Sequence, residues 1–239
     1  MSRIGIGRVK EPFNLLVFDN HTDMQLPAFG GLLSCGGWIA SALEEVEKLH
    51  EVWLIGPDEE AYGQVEEPFK DRVHFLSRER LAEARPYMAE KKGSEEELIR
   101  SLEIPANIPL YISIDKDVLC PEDADTNWSQ GDMRLETMVR CLECAVSRCK
   151  AGDILSTGSE NADIEQLDAV REDTQKDGAA CSDLTVTDLC LFPGILGVDI
   201  CGECDAAGTG NSALNDYANA RLWEFFRHAA ENETSGGDR

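Results

Sequence analysis

Leu15-Leu16-Val17-Phe18-Asp19-Asn20-His21-Thr22-Asp23 decides how the chain is read. A continuous apolar run that ends in acids and a histidine marks a strand buried on both faces, with polar side chains at its carboxyl end. In an extended backbone residues i, i+2 and i+4 point to one side, so Asp19, His21 and Asp23 are expected to converge. Carboxylates with one imidazole form a hard, oxygen-rich donor set that suits Mn²⁺, Mg²⁺ or a mixed-ligand Zn²⁺. The same residues also suit a turn in which Asp and Asn cap the next helix, and this stretch alone leaves both readings open.

Working outward, apolar runs recur at Val52-Trp53-Leu54-Ile55, Val73-His74-Phe75-Leu76, Leu110-Tyr111-Ile112-Ser113-Ile114 and Ile195 to Ile200. Between them lie amphipathic stretches. From Trp38 to Leu49 the residues Ile39, Leu43, Val46 and Leu49 fall at helical spacing. From Arg134 to Cys149 the residues Leu135, Met138, Val139, Leu142 and Val146 share one face, and Leu214 to Phe226 predicts a carboxyl-terminal helix. Ser94, with Glu97 three residues on, reads as a capping box opening another helix. Strands alternating with helices predict βαβ units and a mostly parallel sheet, an α/β fold in which ligands bind beyond the carboxyl ends of the strands.

That rule directs attention to two more strand ends. In Ser113-Ile114-Asp115-Lys116-Asp117-Val118-Leu119-Cys120-Pro121 the acids Asp115 and Asp117 stand two apart, and like charges placed so closely call for a neutralising cation or base. In Leu196-Gly197-Val198-Asp199-Ile200-Cys201-Gly202-Glu203 the strand end delivers Glu203, and Asp199 lies within the strand.

The 239 residues carry 46 acids against 22 bases, a formal charge of −24. The acidic excess speaks against nucleic acid and anionic membranes as partners, since phosphates select Lys and Arg. Nine acids against two bases lie between Ser156 and Cys190, which predicts an acidic insertion or disordered loop over 156–190. No run of apolar residues is long enough to span a membrane, and Met1 to Lys10 lacks the apolar segment of a signal peptide. Nine cysteines, an odd number without an export signal, predict free thiols in a reducing, cytoplasmic setting.

Taken together, Asp19-x-His21-x-Asp23, then Ser113-x-Asp115-x-Asp117-x-x-x-Pro121, then Glu203 resemble the ureohydrolase family of arginases and agmatinases, over roughly Leu15 to Phe226. The resemblance implies a three-layer α/β/α domain over 1–239, with two Mn²⁺ ions at the strand ends. It implies Asp19 and Asp115 as bridging carboxylates, His21 and Asp117 completing one metal, and Asp23 serving the other. It further implies a hydroxide shared by the metals that attacks the carbon of a guanidino or other linear C–N bond, and Glu203 as anchor of a cationic guanidinium. Asp19, His21, Asp115 and Glu203 are thus the expected catalytic residues.

The chain departs from the pattern in having no histidine before His21, where the family has a further ligand. The amino end is therefore expected to be short and the metal served by Asp23 to lack a ligand. Asp132, ahead of the helix starting near Arg134, reads as an acid at a helix N-terminus, with substrate contact as a second role. His50, at a helix end, and His74, in a strand, read as structural. Cys141-x-x-Cys144 and Cys201-x-x-Cys204 could pair around Zn²⁺, but Cys141 and Cys144 fall on an amphipathic helix and read as small buried hydrophobes. No phosphate-binding glycine loop and no Ser-His-Asp arrangement is evident. The expected partner is a guanidino or amide small molecule, with a homo-oligomer left open. The alternatives to a ureohydrolase are a non-catalytic chain of the same fold and an amide deacetylase on a related fold.

Overall fold

The computed structural model describes residues 3–25, 34–88, 98, 100–151, 194–203 and 212–234. The predicted insertion at 156–190 and the Ser94 helix start lie outside the described residues. Five strands, β1 (Phe13–Phe18), β2 (Leu49–Ile55), β3 (Val73–Leu76), β4 (Leu110–Asp115) and β5 (Ile195–Cys201), form one sheet in the order β3-β2-β1-β4-β5. Every pairing among them is parallel. The helices are α1 (Arg3–Ile6), α2 (Trp38–Glu45), α3 (Glu67–Lys70), α4 (Arg78–Met88), α5 (Leu135–Ala151) and α6 (Ser212–Thr234).

Alternation along β1 explains the layers. Phe13, Leu15 and Val17 face one side, where they meet Ile39, Ala42 and Leu43 of α2. Leu16 and Phe18 face the other, where they join Leu81 of α4, Met138 and Leu142 of α5, and Leu222 and Phe226 of α6. All six residues of β1 are buried, as expected for a central strand covered on both faces. The result is the α/β/α sandwich that the resemblance implied.

The chain runs outward from β1 to β2 and β3, then returns across the sheet to β4 on the far side of β1. The strand order therefore switches between β1 and β4, and crossovers from those two strands leave in opposite directions. This opens a crevice at their carboxyl ends. Asp19 follows β1 directly and Asp115 ends β4, so the topology brings both acidic motifs to that crevice.

The sequence expectations need correcting at two places. The helix predicted to reach Leu49 stops at Glu45, because Val46 adopts an extended backbone (φ −93°, ψ 94°). His50 therefore lies in β2 rather than at a helix end. His74 sits in β3 as expected, where its ring stacks on Trp53 at 4.4 Å and its Nε2 lies 2.7 Å from Glu51. Cys141 and Cys144 are both buried in the α5 core.

Among the described residues no helix is long and apolar enough to cross a membrane.

Candidate metal centre

β1 ends at Phe18, and the backbone beyond it bends instead of continuing as a strand. Asp19 stays buried at 3% exposure, and its Oδ1 accepts the backbone N–H of His21 at 2.7 Å. Asp23 takes a left-handed backbone (φ 49°), and its Oδ2 accepts Trp38 Nε1–H at 2.7 Å. The regular i, i+2, i+4 alternation expected from the sequence therefore does not hold. A local hydrogen-bonded bend, not strand geometry, places these side chains.

β4 ends the same way. Lys116–Val118 form a single 3-10 turn, and Asp115 caps it by accepting Asp117 N–H at 3.0 Å. Asp117 is carried forward by that turn and is buried at 2% exposure. Its Oδ1 accepts Asn20 N–H at 3.0 Å, and its Oδ2 lies 2.8 Å from His21 Nδ1. His21 Nδ1 also stands 3.5 Å from Asp19 Oδ1. Asp19, His21 and Asp117 each turn one donor atom into a space where all three lie within 4.8 Å of one another. Asp115 and Asp23 stand beside this cluster. Asp115 is also in contact with Cys201, whose Sγ is 3.5 Å from its Oδ2.

Two glycines allow these strand ends to close. At Gly56 (φ 122°), just after β2, a Cβ would meet the Asp19 carbonyl oxygen at 2.5 Å. At Gly202 (φ 85°), just after β5, a Cβ would meet Asp115 Oδ1 at 2.0 Å. Only glycine fits such a backbone and such an approach.

The electrostatics record the crowding. Burial pushes the Asp19 carboxyl well above the usual range, and the charges of Asp23, Asp115 and Asp117 add to the effect. Burial likewise raises Asp23, to about 7, and Asp115, on which the Asp117 charge acts in the same direction. Hydrogen bonding to Asp117, then to Asp19, raises His21 to about 10. Acids held so close in a buried crevice resist losing their protons unless a cation joins them. Two buried carboxylates and an imidazole converging within coordination reach fit a divalent cation by charge and by donor type.

The loop that follows β4 completes the setting. Leu119 and Met133 form a parallel bridge, and Gln130 Nε2 donates to the carbonyls of Leu119 and Ala124. The loop is thereby folded back on the strand end, and it delivers Ser129. Ser129 Oγ lies 2.9 Å from His21 Nε2, and the Ser129 carbonyl accepts Asn20 Nδ2 at 2.8 Å. No local sequence signal marks this contact, which spans 108 positions. Ser129, His21 and Asp117 do line up, contrary to the expectation of no such arrangement. His21 turns Nδ1 to Asp117 and Asp19 and Nε2 to Ser129, so the line holds the ring in place with Nδ1 towards the carboxylates.

Asp132 is half-buried in the same loop, and α5 starts beyond it at Leu135. The first amide of α5 goes to Asp123 Oδ2 at 2.8 Å, an acid twelve residues away that also pairs with Arg134. Glu203 lies just past β5, and its Oε1 accepts Lys116 Nζ and, at 2.7 Å, Asn219 Nδ2 of α6. Lys116 is fully buried.

No family model matches the chain. An uncharacterised protein of Thermotoga maritima is 31% identical over 137 residues, which are 57% of this chain and 44% of that protein. The chain thus spans less than half the length of that curated relative. Among solved structures, an agmatine ureohydrolase of Thermoplasma volcanium superposes with a TM-score of 0.58 at 14% identity, covering 99% of this chain and 61% of that one. A hypothetical agmatinase from Burkholderia thailandensis gives 0.55 at 15% identity, covering 95% of this chain and 53% of that one. The chain has the arginase-like fold of the ureohydrolases.

Proposed function

We propose that the protein is a metal-dependent hydrolase acting on a linear, non-peptide C–N bond of a small guanidino or amide molecule. The observation that carries this reading is the convergence of Asp19, His21 and Asp117 at the crevice between β1 and β4. The arginase-like fold supports it. Asp19, His21 and Asp117 would hold a divalent cation, with Asp23 and Asp115 beside them as further carboxylates for a second ion, and Mn²⁺ is the expected metal. When bound, such an ion supplies Lewis acidity, which makes water acidic enough to serve as a nucleophile at neutral pH.

The chain's own groups do the rest. Asp19 and Asp117 fix the His21 ring from one side and Ser129 from the other, so the ring presents Nδ1 to the crevice. Asp132, in the loop that carries Ser129, is proposed as an acid that contacts substrate.

A ligating histidine needs its second ring nitrogen held, and losing that hold lowers metal affinity about 10- to 100-fold. Ser129→Ala is therefore expected to weaken Mn²⁺ binding within that range with little change in thermal stability, as read by calorimetric titration and a melting curve. Unchanged Mn²⁺ affinity in that variant would remove Ser129 from the site. The hydrolase reading itself is tested by incubating the Mn²⁺-loaded protein with a panel of guanidino, ureido and amide compounds and following urea and ammonia. Product that appears with Mn²⁺ and disappears in His21→Ala is the expected result. No product from any compound by a fully Mn²⁺-loaded protein contradicts it.

A further inference from the structure

Lys116 stands between the two acids of the β4 motif, yet its side chain goes the other way. Asp115 and Asp117 face the crevice, and Lys116 passes beneath it with no exposed surface. Its Nζ donates to Glu203 Oε1 and, at 2.9 Å, to Asn219 Oδ1. Asn219 Nδ2 donates to that same Glu203 oxygen at 2.7 Å. The three side chains close a ring of hydrogen bonds that ties the ends of β4 and β5 to α6.

The ring matters because of where Glu203 sits. It follows Gly202, whose backbone packs against Asp115, so it lies at the same edge of the sheet as the metal ligands. A carboxylate that selects a guanidinium offers both oxygens to a planar fork of N–H groups. Here Oε1 already takes two donors, one of them a full positive charge. A guanidinium arriving at Glu203 would have to share Oε1 with that ammonium, so pairing with both oxygens would compete with the buried lysine's contact to its counter-ion.

We propose that Lys116 is a specificity-determining residue that satisfies Glu203 from within the protein, so that the substrate group taken at this edge is uncharged, an amide or ureido carbon and not a guanidinium. The inference rests on the hydrolase reading and narrows its substrate class. Overall negative charge draws any cation towards the protein, but it acts equally on wild type and on single variants, so it cancels in a comparison between them.

Arginine and citrulline share one skeleton and differ in a guanidinium against a neutral ureido group. Their dissociation constants are to be measured by calorimetric titration on the Mn²⁺-loaded wild type and on Lys116→Met, which keeps the length of the buried side chain. The wild type is expected to bind citrulline at least as tightly as arginine. Lys116→Met removes the ammonium from Glu203, and a charge-assisted pair should then move the ratio towards arginine by about tenfold or more. A wild type that prefers arginine tenfold overturns the proposal. So does a folded Lys116→Met whose ratio does not move, or a wild type that binds neither compound.

Should Lys116→Met fail to fold, the double variant Lys116→Met/Glu203→Gln, which leaves no unpaired buried charge, decides the matter. The proposal expects the arginine-to-citrulline ratio to stay as in the wild type, whereas a Glu203 that anchors guanidinium would lose its arginine binding. A separate Mn²⁺ titration of the same samples reports on the hydrolase reading. Retained Mn²⁺ with a failed ratio overturns this proposal alone, whereas absent Mn²⁺ uptake overturns the hydrolase reading.

Discussion

Asp19→Asn is expected to abolish Mn²⁺ uptake and, at the same time, to make the metal-free protein more stable. Asp19 is one of three converging groups that could hold a metal ion, and on the proposed reading the loss of a direct carboxylate ligand should exceed the effect of losing a supporting group, so at least about a hundredfold in affinity. Asparagine keeps an oxygen for the His21 N–H, so the local bend should survive. The stability gain follows from the electrostatics. Without a cation, a carboxylate at 3% exposure stands near Asp23, Asp115 and Asp117, and all of them suffer from each other's charge. Removing one charge relieves burial and repulsion together, about 1–3 kcal/mol at pH 8 on the scale of single buried polar groups. Calorimetric titration reads the first effect and thermal melts in chelator read the second. A variant that still binds Mn²⁺ with wild-type affinity, or that is less stable when metal-free, would show that the crevice is not built around a cation.

The metal-free protein should also gain stability as the pH falls from 8 to 6. Asp23 has its proton affinity raised to about 7 in the folded chain, while the unfolded chain holds that proton only near 3.8. The folded state therefore takes up a proton that the unfolded state does not, and stability rises as pH drops through about 7. Asp19 and Asp115 are raised as well and act in the same direction. His21, raised to about 10, contributes stability that is complete below its unfolded value of 6.5 and is lost as the pH climbs through 10. Asp23 and His21 thus both favour the lower pH in this window. One proton taken up over a pH unit is worth about 1.4 kcal/mol, and a shift of a few degrees in Tm is expected for a domain of this size. Saturating Mn²⁺ should reverse the trend, because binding expels protons from its ligands and grows tighter as the pH rises. A flat profile in chelator, or a Tm that falls between pH 8 and 6, contradicts the picture.

Much of the fold was legible because buried parallel strands write themselves as continuous apolar runs. Leu15–Phe18, Val52–Ile55, Val73–Leu76, Leu110–Ile114 and Ile195–Ile200 all fall inside observed strands. The end of α2 was not legible, since Val46 and Leu49 keep helical spacing while the backbone has already turned extended. The metal motif was visible as spacing at two strand ends, but the geometry that uses it was not. A bend at Asp23 and a 3-10 turn at Lys116–Val118 replace the strand alternation on which the reading relied. Lys116 was not legible either, because the 3-10 turn and not strand alternation sends its side chain towards Glu203 and Asn219 of α6. Ser129 carried no local signal, as it reaches His21 only through the folding of a loop far along the chain.

The central claim is that Asp19, His21 and Asp117 form a site for a divalent cation at the crevice between β1 and β4. The most direct measurement is the number of Mn²⁺ ions retained per folded chain after equilibrium dialysis, for the wild type and for His21→Ala. At least one ion per wild-type chain, lost in His21→Ala while the melting transition remains cooperative, is the predicted result. A wild-type chain that melts cooperatively and holds no Mn²⁺ would contradict it.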